Sequence, residues 1–272
     1  MLIIEPCAGL GNRLLGLGSA YSVAQRLGRE LLVIWKREVG CNVRASELFA
    51  LPMRVEEISE NGLKKEPIDH LRSNRIKKKY RGQATRFLEC DDVERIKKER
   101  GFEGLLAEIE REPVIYIKSF GPICELSAES YHFLRASESI EKKGSLLFGQ
   151  IDKTIVGVHV RRTDHTEAIA NSPLGLFAER MRAELSEQPQ TGFFVATDDE
   201  LVKRELRGLL PEARLIFHEG GTIDRNSRSG LEDALIEMLA LSRCKKILGS
   251  YNSTFSLLPS YIGNIPLEIV KK

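Results

Sequence analysis

The chain carries almost no net charge: 41 basic and 39 acidic side chains leave +2 over 272 residues. That balance removes any global pull toward nucleic acid or an acidic membrane. There is no C-x-x-C pair. The five cysteines, Cys7, Cys41, Cys90, Cys124 and Cys244, are odd in number and widely scattered, so their spacing supports neither a zinc site nor a disulfide framework. Reduced thiols in a cytoplasmic protein are the expectation. The opening residues Met1 to Pro6 have no basic region and no long apolar run, so a signal peptide is not expected. No apolar stretch approaches the ~20 residues that span a bilayer, which leaves peripheral contact as the expected limit of membrane association. Short repeats and low-complexity tracts are absent. What is present is a hydrophobic fraction of 42%, ample for a core in one large or two modest domains.

The organisation reads as alternating strands and helices. Residues 2–4 are a short apolar run, followed by the loop Ala8-Gly9-Leu10-Gly11-Asn12-Arg13, a helix from about Leu14 to Leu27, and a strand at Leu31–Trp35. That is a βαβ unit with a glycine-rich first turn. Residues 60–112 are highly charged and expected to be helical and exposed, and Val114–Ile117 is expected to close a first sheet. The second half predicts strands at 154–160, 193–196, 214–217, 246–249 and 267–270. Helices near 174–186, after Asp199, from Ser229 to about Arg243 and within 253–262 separate them. Ser229-x-x-Glu232 has the form of a capping box, and Leu231, Ala234, Leu235, Met238, Leu241 and Ser242 share one face of the helix that follows. Such alternation implies parallel sheets covered on both faces. The expectation is α/β, two Rossmann-like domains facing a cleft, with boundaries 1–140 and 141–272.

Strand ends carry the polar residues. Thr154–Val160 is β-branched and apolar and runs directly into Arg161-Arg162-Thr163-Asp164. Ligands of open α/β sheets bind beyond the carboxyl ends of the strands, and guanidinium forks match phosphate oxygens. The alternative is a structural ion pair of Arg161 or Arg162 with Asp164. His159 alternates with Val158 and Val160, so it reaches the face of Arg161 only through strand twist or a bulge. Thr197-Asp198-Asp199 ends another strand. It lacks D-x-D spacing or further clustered carboxylates, so helix capping is favoured over a metal site. Ser250-Tyr251-Asn252-Ser253-Thr254-Phe255-Ser256 places hydroxyls at a helix start, as a phosphate cradle or a simple cap. Gly9-x-Gly11-Asn12-Arg13 lacks the third glycine of the dinucleotide fingerprint. The basic run Arg72–Arg81 reads as a solvated face or an attractor of an anionic acceptor. His70 and His132 have no catalytic companions nearby in sequence.

His159-Val160-Arg161-Arg162-Thr163-Asp164 resembles the first motif of the fucosyltransferase superfamily that includes α1,2-, core- and nodulation-type α1,6-, and protein O-fucosyltransferases, and is most similar to the α1,6 branch. The loop Gly9-Leu10-Gly11-Asn12, Ala196-Thr197-Asp198-Asp199 and Ser253-Thr254-Phe255-Ser256 agree in the same order, while residues 40–135 stay unplaced. The resemblance implies a GT-B fold, an inverting transfer from GDP-fucose to a glycan acceptor, and neither metal nor cofactor. It implies an acceptor-side domain in 1–140 and a GDP-sugar domain in 141–272. By position Arg161 resembles the arginine that holds the β-phosphate. His159, Ser253, Thr254, Phe255 and Ser256 resemble donor contacts, and Gly11, Asn12, Arg162, Asp164, Asp198 and Asp199, which fall within matching motifs, are expected donor contacts as well. Glu237 lines up with the guanine-reading aspartate, a glutamate being a departure. Glu167 resembles the glutamate base of core α1,6 enzymes at a shorter spacing. Arg13 replaces the glutamine common in α1,2 enzymes. The rivals are a same-fold transferase of another nucleotide sugar and a non-catalytic nucleotide- or glycan-binding protein. Acceptor, linkage and oligomeric state are not written in the sequence.

Overall fold

A computed structural model describes residues 1–59, 67–163, 165–222, 224 and 226–272. In chain order it contains β1 Leu2–Pro6, α1 Leu10–Arg26, β2 Leu31–Arg37, α2 Ala45–Leu48, β3 Arg54–Ser59, α3 Pro67–Gln83, β4 Arg86–Leu88, α4 Cys90–Arg111 and β5 Ile115–Ser119. Then follow α5 Glu138–Phe148, β6 Ile155–Val160, α6 Thr166–Asn171, α7 Leu174–Glu187, β7 Gly192–Thr197, α8 Glu200–Leu209 and β8 Arg214–Ile216. The chain closes with α9 Arg228–Arg243, β9 Ile247–Ser250, α10 Thr254–Gly263 and β10 Leu267–Val270. β1, β6 and β7 are buried at every position, as strands of parallel sheets covered on both faces must be.

The strands form two five-stranded sheets, in the orders β3-β2-β1-β5-β4 and β10-β9-β6-β7-β8. Every pairing is parallel. Two compact units result: Met1–Ser139 with Asp224–Leu231, and Ile140–Ile223 with Glu232–Lys272. Strand order reverses around β1 in the first sheet and around β6 in the second, so β1/β5 and β6/β9 are the switch points at which such sheets leave a crevice. Among the described residues no helix is long and apolar enough to cross a membrane.

Three local expectations give way. β5 does not close the first sheet but lies inside it, paired with β1. The edge is β4, a three-residue strand hidden in the charged region. That region is not simply exposed: α4 buries Val93, Ile96, Leu105, Leu106 and Ile109, and is broken at Gly101, whose φ of 67° only glycine adopts readily. Ser229 does not cap α9, because the helix already starts at Arg228. Ser227 takes that place, its Oγ accepting from Gly230 N at 3.1 Å and its carbonyl from Leu231 N at 3.2 Å.

Candidate functional site

The second sheet's switch point gathers the polar strand ends. β6 stops at Val160 because Ser250, last residue of β9, replaces the next ladder bond with its side chain. Its Oγ accepts from Arg161 N at 2.8 Å and donates to the His159 carbonyl at 3.0 Å. The chain then turns through Thr163, a β-branched residue at φ 35°, a conformation held only against strain. Asp198 at the end of β7 holds the turn. One carboxylate oxygen accepts from Arg162 N at 2.7 Å, and the other from Thr163 Oγ1 and Arg161 Nη1, both at 2.7 Å. Arg161 thus pairs with Asp198, a partner the sequence reading did not name. Asp164 lies outside the described residues.

Arg162 lies half-buried over the same turn. Its Nη1 donates to the Arg161 carbonyl at 2.7 Å, and its Nη2 is buried with no hydrogen-bond partner among the described residues. Burial pulls its pKa below the usual arginine range, against Asp198, Asp199 and Glu205. Asp199 caps α8, accepting from Leu201 N at 2.9 Å. With the oxygens of Asp198 taken by three donors and Asp199 capping a helix, neither offers an open ligand set. Among the described residues no three His, Cys, Asp or Glu side chains cluster to hold a metal.

His159 and Ser256 form the underside of this rim. The imidazole is 4% exposed, its Nδ1 lies 2.8 Å from Ser256 Oγ, and its ring stacks on Phe255 with centroids 5.0 Å apart. Burial drives its pKa down to about 3, so it stays neutral. Ser256 also donates to the Ser250 carbonyl at 3.3 Å. Gly249 makes room for it: a Cβ there would meet Ser256 Cβ at 2.7 Å. Both side chains are buried, so they underlie this rim rather than line its surface. Above them the first turn of α10 begins after Asn252, at φ 50°. Ser253 stands at the cap position without a side-chain capping bond, so its hydroxyl is not committed to the helix. Thr254 and Phe255 are half-buried beside it. Asn252 Nδ2 donates to Glu167 Oε2 at 3.1 Å, which brings exposed Glu167, in the first turn of α6, to this same rim.

Glu237 lies farther along, on α9. It makes no hydrogen bond to a described residue. Burial raises its carboxyl to about 8, with the nearby Lys203 opposing and Asp233, Glu200 and Asp198 reinforcing. Lys203 is itself buried and bonds Glu200 Oε1 at 2.6 Å. The sequence reading missed Lys203; its only signal is the i, i+3 spacing to Glu200.

The first sheet's rim is built differently. Gly11 and Asn12 are not in a loop but in the first turn of α1, which starts at Leu10. The strained residue is Ala8, φ 67°, rather than either glycine. Arg13 is fully buried. Its Nε donates to the Ala8 carbonyl and its Nη1 to the Lys36 carbonyl, both at 2.7 Å, while Nη2 meets Glu38 Oε1 at 2.6 Å and the guanidinium lies 5.0 Å from the Trp35 ring. The described part of the basic run 72–81 lies on α3, with Arg75 and Lys78 exposed and Arg81 stacked over Phe87.

No protein-family model matches the chain, and no curated protein matches its sequence. Solved structures do. NodZ α-1,6-fucosyltransferase soaked with GDP-fucose superposes with a TM-score of 0.62 at 19% identity, over 96% of this chain and 92% of that one. The selenomethionine form of fucosyltransferase NodZ from Bradyrhizobium gives 0.61 at 20% identity, over 95% and 90%. POFUT1 in complex with GDP gives 0.59 at 14% identity, over 98% and 96%. The likeness takes in residues 40–135, which the sequence motifs leave unplaced. The chain has the α/β fold of two parallel five-stranded sheets found in these GT-B fucosyltransferases.

Proposed function

We propose that the chain is an inverting, metal-independent glycosyltransferase that moves fucose from GDP-fucose to a hydroxyl of an oligosaccharide or glycoconjugate. The observation that carries this reading is the hydrogen-bonded junction of three strand ends in the second sheet. Ser250 and Asp198 hold Arg161 at the end of β6, and Ser250 leads into α10, a helix whose first turn favours anions. Fold neighbours solved with GDP-fucose and GDP support the same donor. Residues 141–272 then take the GDP-sugar, and 1–140 form the acceptor-side domain.

The chemistry follows from charge. As the bond from fucose to GDP breaks, negative charge grows on the β-phosphate while the acceptor hydroxyl attacks the opposite face. Arg161, already oriented by Asp198, meets that charge without reorganisation and so stabilises the transition state more than the ground state. Ser253, Thr254 and the first-turn N–H groups of α10 add donors. Glu167 accepts the hydroxyl proton. Ionised Glu237 accepts from N1–H and the exocyclic amine of guanine, and Phe255 lends an apolar face. The resident groups supply the charge stabilisation, so no cofactor is invoked, and a cytoplasmic location belongs to the same reading.

Incubation with labelled GDP-fucose and a panel of bacterial-type oligosaccharides tests it. Acceptor-dependent fucosylation that survives EDTA is expected, with slow donor hydrolysis when no acceptor is present. Transfer from a UDP-sugar in preference to GDP-fucose would replace the donor, and no turnover of any nucleotide sugar would leave a binding protein.

A further inference from the structure

The first sheet's switch point holds a feature that glycosyl transfer does not use. Cys7 follows β1 and Cys90 opens α4, just after β4. In the sheet those two strands are separated by β5. The loop from β1 bends over the end of β5, with Cys7 N donating to the Ser119 carbonyl at 3.0 Å. This brings the two sulfurs to 3.4 Å, although the cysteines are 83 positions apart in sequence. A disulfide needs an S–S distance of about 2.05 Å, so the sulfurs lie roughly 1.4 Å from bonding, a side-chain adjustment rather than a movement of strands.

The other thiols are placed differently. Cys41 and Cys244 are buried, and Cys124 turns its Sγ toward the carbonyls of Ser19 and Glu125. The two members of the pair also differ in access. Cys7 is buried and Cys90 is half-exposed, with the Lys118 ammonium within electrostatic reach of both. Burial and the neighbouring Cys90 push the Cys7 thiol up to about 12, which suits the second, resolving thiol better than a first point of attack.

We propose that Cys7 and Cys90 form an oxidisable dithiol, which a low-molecular-weight disulfide such as oxidised glutathione converts into an intramolecular disulfide. Cys90 Sγ attacks one sulfur of the oxidant and expels one glutathione thiolate, leaving a mixed disulfide. Cys7, its proton passed to solvent, then attacks Cys90 Sγ and expels the second glutathione. Two protein thiols are oxidised and one glutathione disulfide is reduced to two thiols. The new bond ties the entry of α1, with strained Ala8, to the start of α4.

The test treats the native chain with oxidised glutathione, quenches with an alkylating agent in denaturant so that every free thiol reacts, and reads the product by intact mass and peptide mapping. The expected product has three alkylatable thiols of the five, no retained glutathione and a Cys7–Cys90 cross-linked peptide. It reverts with dithiothreitol, and its Tm is higher by on the order of 10 °C because a long loop is closed. Cys7→Ser is expected to trap a stable glutathione adduct on Cys90, Cys90→Ser to leave Cys7 unmodified, and Cys124→Ser to close like the parent. Five alkylatable thiols after treatment, a lasting glutathione adduct on Cys90 of the parent, or a cross-link involving Cys41, Cys124 or Cys244 would each overturn the proposal and leave Cys7 and Cys90 as packing neighbours.

Discussion

Both sheets release a strand into a turn with a non-glycine residue at positive φ, Ala8 in one and Thr163 in the other, and both place an arginine beside that turn. The two arginines are held differently. Arg13 is 0% exposed, and its Nε, Nη1 and Nη2 all bond to protein, so its charge is consumed in fixing the β1–α1 connection to the end of β2. The Arg161 side chain is 17% exposed, steered by Asp198 at a rim where a helix begins without a side-chain cap. Proximity of an arginine to a strand end therefore says little about binding. Where its hydrogen bonds go decides whether it is a strut or a contact.

The sharpest way to break that comparison is to remove each arginine. Arg13→Ala takes the Arg13 donor from Glu38 Oε1 and from two carbonyls, leaving Glu38 with Lys36 alone, and is expected to cost about 3–5 kcal/mol in urea unfolding. Arg161→Ala leaves Asp198 two other donors, Arg162 N and Thr163 Oγ1, and is expected to cost less, about 1–3 kcal/mol, in the same assay, yet at least ~10²-fold in kcat. Arg161→Lys is expected to recover little, since a point charge does not replace a fork. Near-parental turnover in Arg161→Ala would make it a second Arg13.

Glu167→Gln keeps the bond from Asn252 and removes basicity. A loss of about 10²–10⁴-fold in transfer is expected, with GDP affinity nearly unchanged in equilibrium titration. Transfer within a few-fold of the parent would remove Glu167 as the base, and weakened GDP binding would move it into the donor site.

Glu237 adds a pH dependence with a definite sign. Desolvation holds its carboxyl protonated up to about 8, with Lys203 opposing and Asp233, Glu200 and Asp198 reinforcing. The proposed contact with guanine needs the ionised form. GDP affinity is therefore expected to rise by up to about tenfold per pH unit toward pH 8 and to level above it, and Glu237→Gln to flatten the curve. In the empty protein the native state keeps a proton that the unfolded chain releases near pH ~4.3. Stability from this group is thus present below that pH and falls as pH rises through the window up to about 8. Calorimetric titration across pH 6–9, roughly bracketing that value, reads the first effect.

The smallest effects concern the strained turns. Ala8→Gly relieves a left-handed alanine at the cost of a more flexible unfolded chain, so a net gain below about 1 kcal/mol is expected in thermal unfolding. Asn252→Gly should change stability by still less, because asparagine tolerates its φ of 50° and the bond to Glu167 that is lost is exposed. A loss of several kcal/mol would mean that the Ala8 methyl carries a contact of its own, or that the Asn252–Glu167 bond does more than an exposed hydrogen bond.

Much of the second sheet is legible in the sequence because β6 and β7 are apolar runs ending in polar residues, and their carboxyl ends are where such a sheet exposes chemistry. The outer strands of the first sheet are not. β3 alternates charge with apolar residues on an edge, and β4 is three residues long, too short for a periodicity to register. The rim's wiring is equally hidden. Asp198 reads as a helix cap in sequence but braces Arg161, Arg162 and Thr163 across the sheet. His159 and Ser256 read as contacts, yet only burial shows that they face inward. Cys7 and Cys90 read as scattered thiols until β1, β5 and β4 are placed in order.

The central claim is that the second rim holds a guanosine diphosphate group, and thermal unfolding with GDP and UDP tests it most directly. At about a hundred times Kd, GDP is expected to raise Tm by roughly 5–10 °C through binding to the native state alone, with UDP giving a far smaller shift and Glu237→Gln losing the preference. Equal shifts with GDP and UDP would contradict the guanine assignment, and no shift with either would contradict the site itself.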